Sequence, residues 1–278
     1  MHYVANAMFL IACIAATAGS ISRTTHARPT ETAACTRMMR ACQIRGGARD
    51  DGRYSYALTT YSPEGKLNQL EYAMNSALGG ALSIAVIYAG GIAMATVSQT
   101  KSPLVLDLLT MKIARLSDGF AIMHSGLAAD ARILTKKAEA CCLEYKGKFG
   151  EQAVIPVGNL VTEVASTLQE YTQMGGVRPF GAAFLVAGIG DDGHGLLYRL
   201  DPSGSVTSWK AAAIGKGSAE AEVILNEEFE DLVDRDRALE LALSIALRCS
   251  SGGTTKEDVE TAYIERGQDS LVARDTRP

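Results

Sequence analysis

Ser125 stands between His124 and Gly126, a hydroxyl next to an imidazole, and acyl transfer is the chemistry that pairing could serve. The setting does not support it. A nucleophile elbow needs Gly-x-Ser-x-Gly, and Met123 and Leu127 occupy the flanking positions. His124 and His194 are far apart and lie in no HxxxH or HExxH context, and His194, in Asp192-Gly193-His194-Gly195, reads as a solvated turn residue. No Cys/His set has metal-ligand spacing, so neither a metal nor a cofactor is expected. Gly188-x-Gly190 falls between two apolar runs of strand type, which makes it a hairpin turn and not a phosphate cradle. On its residues alone the body is a non-catalytic globular domain.

The elements that would carry these residues follow from periodicity. Tyr61-Ser62-Pro63-Glu64-Gly65 predicts a turn, and Leu67, Leu70, Met74, Ala77 and Leu78 recur at helical spacing up to Gly79-Gly80. Apolar runs 83–89 and 92–97 flank Gly90-Gly91 as one hairpin; 112–116 and 120–124 flank Ser117-Asp118-Gly119 as another. Amphipathic helices are predicted over 127–146 and 159–174, strands over 182–188, 196–200 and 206–214, helices over 218–232 and 234–249, and a last strand over 259–264. Strands joined by hairpins build antiparallel sheets, and helices that arrive in pairs can each cover one sheet face. The expected fold is α+β, a four-layer α-β-β-α sandwich of two antiparallel sheets in a single domain.

Charge divides the chain. Of 278 residues, 27 are Lys or Arg and 31 Asp or Glu, a balance of −4; 47% are hydrophobic and 21% charged, as in soluble globular proteins. Residues 1–49 hold six Arg and one acid, Glu31, for +5, which leaves −9 on the remainder. An acidic body argues against nucleic acid as a partner, since phosphate binding needs clustered bases. Ala7–Gly19 is apolar but too short to span a membrane, and Ala16-Thr17-Ala18 has the form of a cleavage site, although no positive n-region precedes it. Two readings of the leader stay open: a signal or transit segment, and a disordered extension without a targeting role. The six cysteines (Cys13, Cys35, Cys42, Cys141, Cys142 and Cys249) form no CxxC pair, and no Asn-x-Ser/Thr acceptor occurs, so the body is expected in a reducing compartment. The division is 1–50 extension, 51–265 domain and 266–278 charged, unstructured tail.

The stretch 53–67 (RYSYALTTYSPEGKL), followed by Gln69-Leu70-Glu71-Tyr72-Ala73, resembles the amino-terminal signature of proteasome alpha subunits. The stretches 125–134 (SGLAADARIL), 170–181 (EYTQMGGVRPFG) and 201–215 (DPSGSVTSWKAAAIG) resemble the same family in the same order. Tyr54-Ser55-Tyr56 stands where most alpha subunits have Tyr-Asp-Arg, a variant most similar to the second alpha type. The family's fold is the same four-layer sandwich.

The resemblance implies a non-catalytic subunit of a seven-membered alpha ring, in contact with other alpha subunits, beta subunits and regulatory activators. Its work would be ring assembly, gating of substrate entry and activator docking in ubiquitin-dependent degradation, in cytoplasm and nucleus, with no membrane partner. The related beta subunits cut with an amino-terminal Thr whose own amine activates it. At the corresponding place this chain has Gly80-Ala81-Leu82, preceded by a helix. Lys112 matches the lysine that pairs with activator carboxylates, with Gly80 and Leu127 as the pocket's walls. Tyr54, Ser55, Pro63 and Tyr72 match the gate turn, where Ser55 and Tyr56 replace the usual Asp and Arg. The helix 67–78 would expose Asn68, Glu71 and Asn75 and bury Leu67, Leu70 and Met74. Two alternatives remain: an organelle-targeted paralogue, and an N-terminal-nucleophile hydrolase exposed by processing.

Overall fold

The computed structural model describes residues 59–98, 112–117, 119–190, 192–229, 234–250, 254–265 and 272–274. All of these belong to one compact unit, Ala48–Pro278, and the other unit, Met1–Gly47, lies outside the described residues.

Among the described residues the first element is helix α1 (Asn68–Leu78), followed by strands β1 (Ser83–Tyr88), β2 (Gly91–Val97), β3 (Ile113–Ser117) and β4 (Phe120–Gly126). Helices α2 (Ala128–Phe149) and α3 (Val157–Gln173) follow, then β5 (Ala182–Ile189), β6 (Gly195–Leu200), β7 (Val206–Trp209) and β8 (Ala211–Ile214). Helices α4 (Ser218–Glu228) and α5 (Arg235–Cys249) precede β9 (Val259–Glu265) and β10 (Val272–Arg274). The strands form two five-stranded antiparallel sheets, in the orders β10-β9-β2-β1-β8 and β3-β4-β5-β6-β7.

Side-chain alternation turns those sheets into layers. On β1 and β2, Ile84, Val86, Ala93 and Ala95 face outward into a core shared with Ala238, Ala242 and Ile245 of α5. On β4 and β5, Phe120, Ile122, Phe184 and Val186 face the opposite way, onto Leu134 of α2 and Leu160, Val164 and Leu168 of α3. The alternate residues Ala85, Met94, Met123, Leu185 and Ala187 meet between the sheets. Because both faces of each sheet are covered, the central strands read as unbroken apolar runs. The α-β-β-α sandwich expected from element order is the observed fold.

Three local differences from the sequence reading have physical causes. The first hairpin turns at Ala89-Gly90, since Tyr88 pairs with Gly91. Gly91 belongs to the strand because a Cβ there would lie 1.9 Å from the Ile264 carbonyl oxygen, a closeness only glycine accepts. The run 206–214 is two strands rather than one. Val206–Trp209 pairs with β6 in one sheet and Ala211–Ile214 with β1 in the other, and the Lys210 carbonyl between them accepts from Ile87 N at 2.9 Å. The exposed sequence Val-Thr-Ser-Trp gives way there to buried Ala-Ala-Ile, so the chain changes sheets where its burial changes. Val272–Arg274, assigned by sequence to an unstructured tail, pairs antiparallel with β9 and extends that sheet by a strand.

Candidate functional site

The end of α1 meets the ends of β4 and β8 at a junction built from glycine. A Cβ on Gly80 would lie 2.0 Å from Gly126 N and 2.3 Å from Ser125 Oγ; one on Gly215 would lie 2.3 Å from the Ala81 carbonyl oxygen. Gly126 and Gly215 take φ of +105° and +96°, which other residues adopt only with strain. Ser125, buried here, donates its hydroxyl to the Ala77 carbonyl at 3.0 Å and so ties β4 to α1. Its hydroxyl serves as a strut, which agrees with the missing elbow motif.

Leu127 leads into α2 beside this junction. Its N–H donates to the Gly181 carbonyl at 2.9 Å, and its side chain is 45% exposed. Gly181 is held from the other side, donating its N–H to Asp130 Oδ2 at 3.0 Å. Asp130, 4% exposed, accepts both guanidinium nitrogens of Arg178, at 2.5 and 2.7 Å. The Arg178 hydrogen bond, joined by that of the Gly181 amide and opposed by burial, holds the Asp130 carboxyl below the usual carboxylate range. Sequence reasoning missed this clamp. Its signal was there in an acid in the first turn of a helix and in Arg178-Pro179-Phe180-Gly181, but their pairing spans 48 residues.

Lys112 lies just before β3, half-buried, and reaches across to the other sheet. Its ammonium donates to the Val97 carbonyl at the end of β2 at 2.7 Å. Val97 in turn donates its N–H to Leu82 O at 2.9 Å, next to the Gly80-Ala81 junction. Burial brings the Lys112 amine down to about 8, opposed by the charge of Glu260 on β9. His124 is half-buried on β4. Burial first, and the charge of Lys112 second, bring its imidazole down to about 4, against a hydrogen bond to the Lys112 main chain. Behind them Ser83 and Thr96 share a hydroxyl hydrogen bond of 2.7 Å, both fully buried. Gly80 packs against Gly126, the residue before Leu127, and Lys112 is linked through Val97 to Leu82, two residues after Gly80.

The gate-turn residues are only partly within the described structure. Tyr54 and Ser55 lie outside the described residues. The turn before α1 is formed: Ser62 N donates to Lys66 O and Gly65 N to Ser62 O, both at 2.8 Å, with Gly65 at φ +79°. Pro63 is exposed, and Tyr72 is 55% exposed. On α1, Glu71 and Asn75 are exposed as expected, whereas Asn68 is half-buried. The expected core positions are corrected: Ala73 and Ala77 are the buried pair, Leu67 and Leu70 are half-buried, and Met74 is 38% exposed. The helix comes so near β4 that a Cβ on Gly126 would lie 2.9 Å from Ala77 Cα. Only alanine fits beneath it, and the longer side chains splay to its margins. There Met74 and Leu78 line an 80 Å³ crevice with Arg199, Asp201, Ile214 and Gly215. Arg199 bridges Asp201 at 3.3 Å and Glu222 of α4 at 2.7 Å.

Among the described residues no group of three or more His, Cys, Asp and Glu is placed to hold a metal ion, and no helix is long and apolar enough to cross a membrane.

Comparison with known proteins agrees with this framework. The family described as Proteasome subunit matches residues 78–264, and the N-terminal signature of its A-type members matches residues 54–75. The chain is 36% identical over 222 residues to Proteasome subunit alpha type-2 of Oryza sativa subsp. japonica, covering 80% of this chain and 93% of that one. It is 38% identical to Proteasome subunit alpha type-2 of Drosophila melanogaster over 77% of this chain and 90% of that one. The same identity holds with Proteasome subunit alpha type-2 of Saccharomyces cerevisiae (strain ATCC 204508 / S288c), over 76% of this chain and 84% of the relative. The matched span begins where α1 ends at Leu78 and closes at Ile264 in β9, so it takes in β1 to β9 of the two sheets and their four covering helices, and the chain belongs to the proteasome subunit family.

Proposed function

We propose that this chain is a non-catalytic alpha-ring subunit of a proteasome core particle, which joins other alpha subunits and the beta ring and takes part in gating substrate entry and docking activators. One observation carries the reading. Where an N-terminal-nucleophile enzyme needs a free amine and a hydroxyl, α1 runs into β1 through Gly80-Ala81-Leu82. Gly80 is bonded on both sides there, its N–H to Ala77 O at 3.3 Å and its carbonyl to Lys216 N at 2.9 Å. The first hydroxyl on the strand, Ser83, is buried and bonded to Thr96. A processed hydrolase would have to remove α1, and with it Ala73 and Ala77 from the core.

Lys112 with Gly80 and Leu127 forms the pocket for an activator's terminal carboxylate in this reading. A compact cation near a cleft suits a single carboxylate. Tyr54, Ser55, Pro63 and Tyr72 belong to the gate turn, and the exposed Tyr72 and Met74 on α1 leave apolar surface for a neighbour to cover. The chain works in cytoplasm and nucleus, with residues 1–50 as an extension outside the fold.

Native mass spectrometry of the purified particle, with determination of this chain's mature amino terminus, tests the proposal. The expected result is one copy in each alpha ring with α1 intact. A terminus that begins with a free Thr or Ser at a strand start, together with peptidase activity of the isolated chain, overturns it.

A further inference from the structure

The two sheets have four edge strands, and three of these are closed to a newcomer. β8 is buried and packs with Ala221 and Leu225 of α4. β3 breaks register between Arg115 and Ser117 and exposes Arg115. β10 ends in the charged residue Arg274. Burial, a bulge or a charge is how a sheet refuses a further strand. β7 has none of these. Its sequence, Val206-Thr207-Ser208-Trp209, holds no charge and no proline, pairs with β6 without a register shift, and is exposed at all four positions.

The direction of its main chain follows from the turn before it. Asp201 donates its N–H to the Ser205 carbonyl at 3.1 Å, a pair in the same register as β6 and β7. Antiparallel pairs alternate between bonded and non-bonded, so Thr207 and Trp209 bond to β6. Val206 and Ser208 therefore turn their N–H and C=O groups outwards, and among the described residues no strand meets them. A 310 Å³ cavity opens where β7 ends, with Trp209, Ala211, Leu225 and Phe229 as its apolar walls. Its charged groups are engaged: the Lys210 ammonium stands over the Phe229 ring, 6.0 Å from the centre, and Glu222 accepts from Arg199 at 2.7 Å. A cationic guest would meet that ammonium, whereas a neutral ring can pack on Trp209 and Phe229.

We propose that β7 is the docking edge for an extended, uncharged segment of a partner protein, which joins the sheet as its sixth strand and seats an aromatic side chain in the cavity. The outward groups of Val206 and Ser208 supply the main-chain hydrogen bonds. A residue directly opposite Trp209 shares its face of the sheet, so its side chain stands against the indole and reaches the cavity. Main-chain bonding gives the affinity and the ring gives the selectivity.

The test uses the full chain. The probe is an amidated hexapeptide of alternating threonine and valine with one central phenylalanine, labelled with fluorescein for anisotropy. Saturable binding is expected. N-methylation of the two amides on one edge of the probe should weaken it about tenfold to a hundredfold, and so should alanine in place of phenylalanine. Ser208→Pro removes an outward N–H and no bond to β6, so it should weaken binding about tenfold and leave the unfolding midpoint in place. Trp209 is the only tryptophan of the chain, which adds a readout that needs no variant: the unlabelled probe should shift its emission to the blue, and the alanine probe should not. No saturation by about 1 mM peptide, binding that survives N-methylation, or an unmoved Trp209 emission overturns the proposal. Dimers of the chain that Ser208→Pro abolishes would make a second copy the occupant, and would overturn it too.

Discussion

Gly80 and Gly126 meet main chain to main chain: a single Cβ on Gly80 would stand 2.0 Å from the Gly126 nitrogen. The contact holds the end of α1 against the end of β4, and nothing larger than hydrogen fits it. Gly80→Ala is expected to destabilise the chain by about 2–4 kcal/mol, since relief requires backbone to move. Gly147→Ala, in the interior of α2 with nothing within 4 Å of its Cβ, is expected to gain about 0.5–1 kcal/mol. Urea unfolding of both variants measures the contrast, and equal effects would remove the close contact as the cause.

Asp130 makes the clamp under Leu127 sensitive to acid. Its carboxyl is held low in the folded chain, so its contribution to stability is present above about pH 4 and is lost as the pH falls through the folded value. Asp130→Asn is expected to cost about 1–3 kcal/mol near pH 7, and its deficit should shrink as the pH falls from about 4 through the folded value. Chemical unfolding at pH 7 and along an acid series checks this; a deficit independent of pH would mean that packing, and not the charge, is lost.

Lys112→Ala is expected to leave ring assembly intact and to weaken activator docking about tenfold to a hundredfold, the range for losing a hydrogen bond to a charged group. Assembly is read by native mass spectrometry and docking by competition with unmodified particles. Unchanged docking would separate Lys112 from any recognition role.

Arg199 offers a contrasting case. It joins Asp201 and Glu222, but all three side chains keep contact with water. Arg199→Met is expected to cost no more than about 1 kcal/mol, because its aliphatic part still packs and half-exposed ion pairs contribute little. A loss of several kcal/mol would show that the bridge between β6 and α4 is far better shielded than its exposure indicates.

What could be read in the sequence was whatever is encoded locally. Ile84, Val86, Ile92 and Met94 announce strands by their runs, and Leu160, Val164 and Leu168 announce a helix by their spacing. The sheet change at Lys210 was hidden because Val206 to Ile214 holds no Gly or Pro to mark a break; which sheet each half joins is decided by β1 and β6, far away in sequence. Met74 misled in the same way, since helical spacing places it beside Ala73 and Ala77 without revealing that β4 leaves room only for methyl groups. In the site, Gly80 and Leu127 came from motif order. The reach of Lys112 to Val97 O and the Asp130–Arg178 pair required the fold.

The crossing at Lys210 bears on how the molecule comes apart. Four residues before it belong to one sheet and four after it to the other, with Lys210 itself tied by its carbonyl to Ile87. Neither sheet can peel open without dragging the edge of its counterpart, so the sandwich should behave as a single cooperative folding unit. Amides in β1 and β6 would then exchange their hydrogens through the same rare global opening, at matching free energies, and the sheets would have no separate life as subdomains.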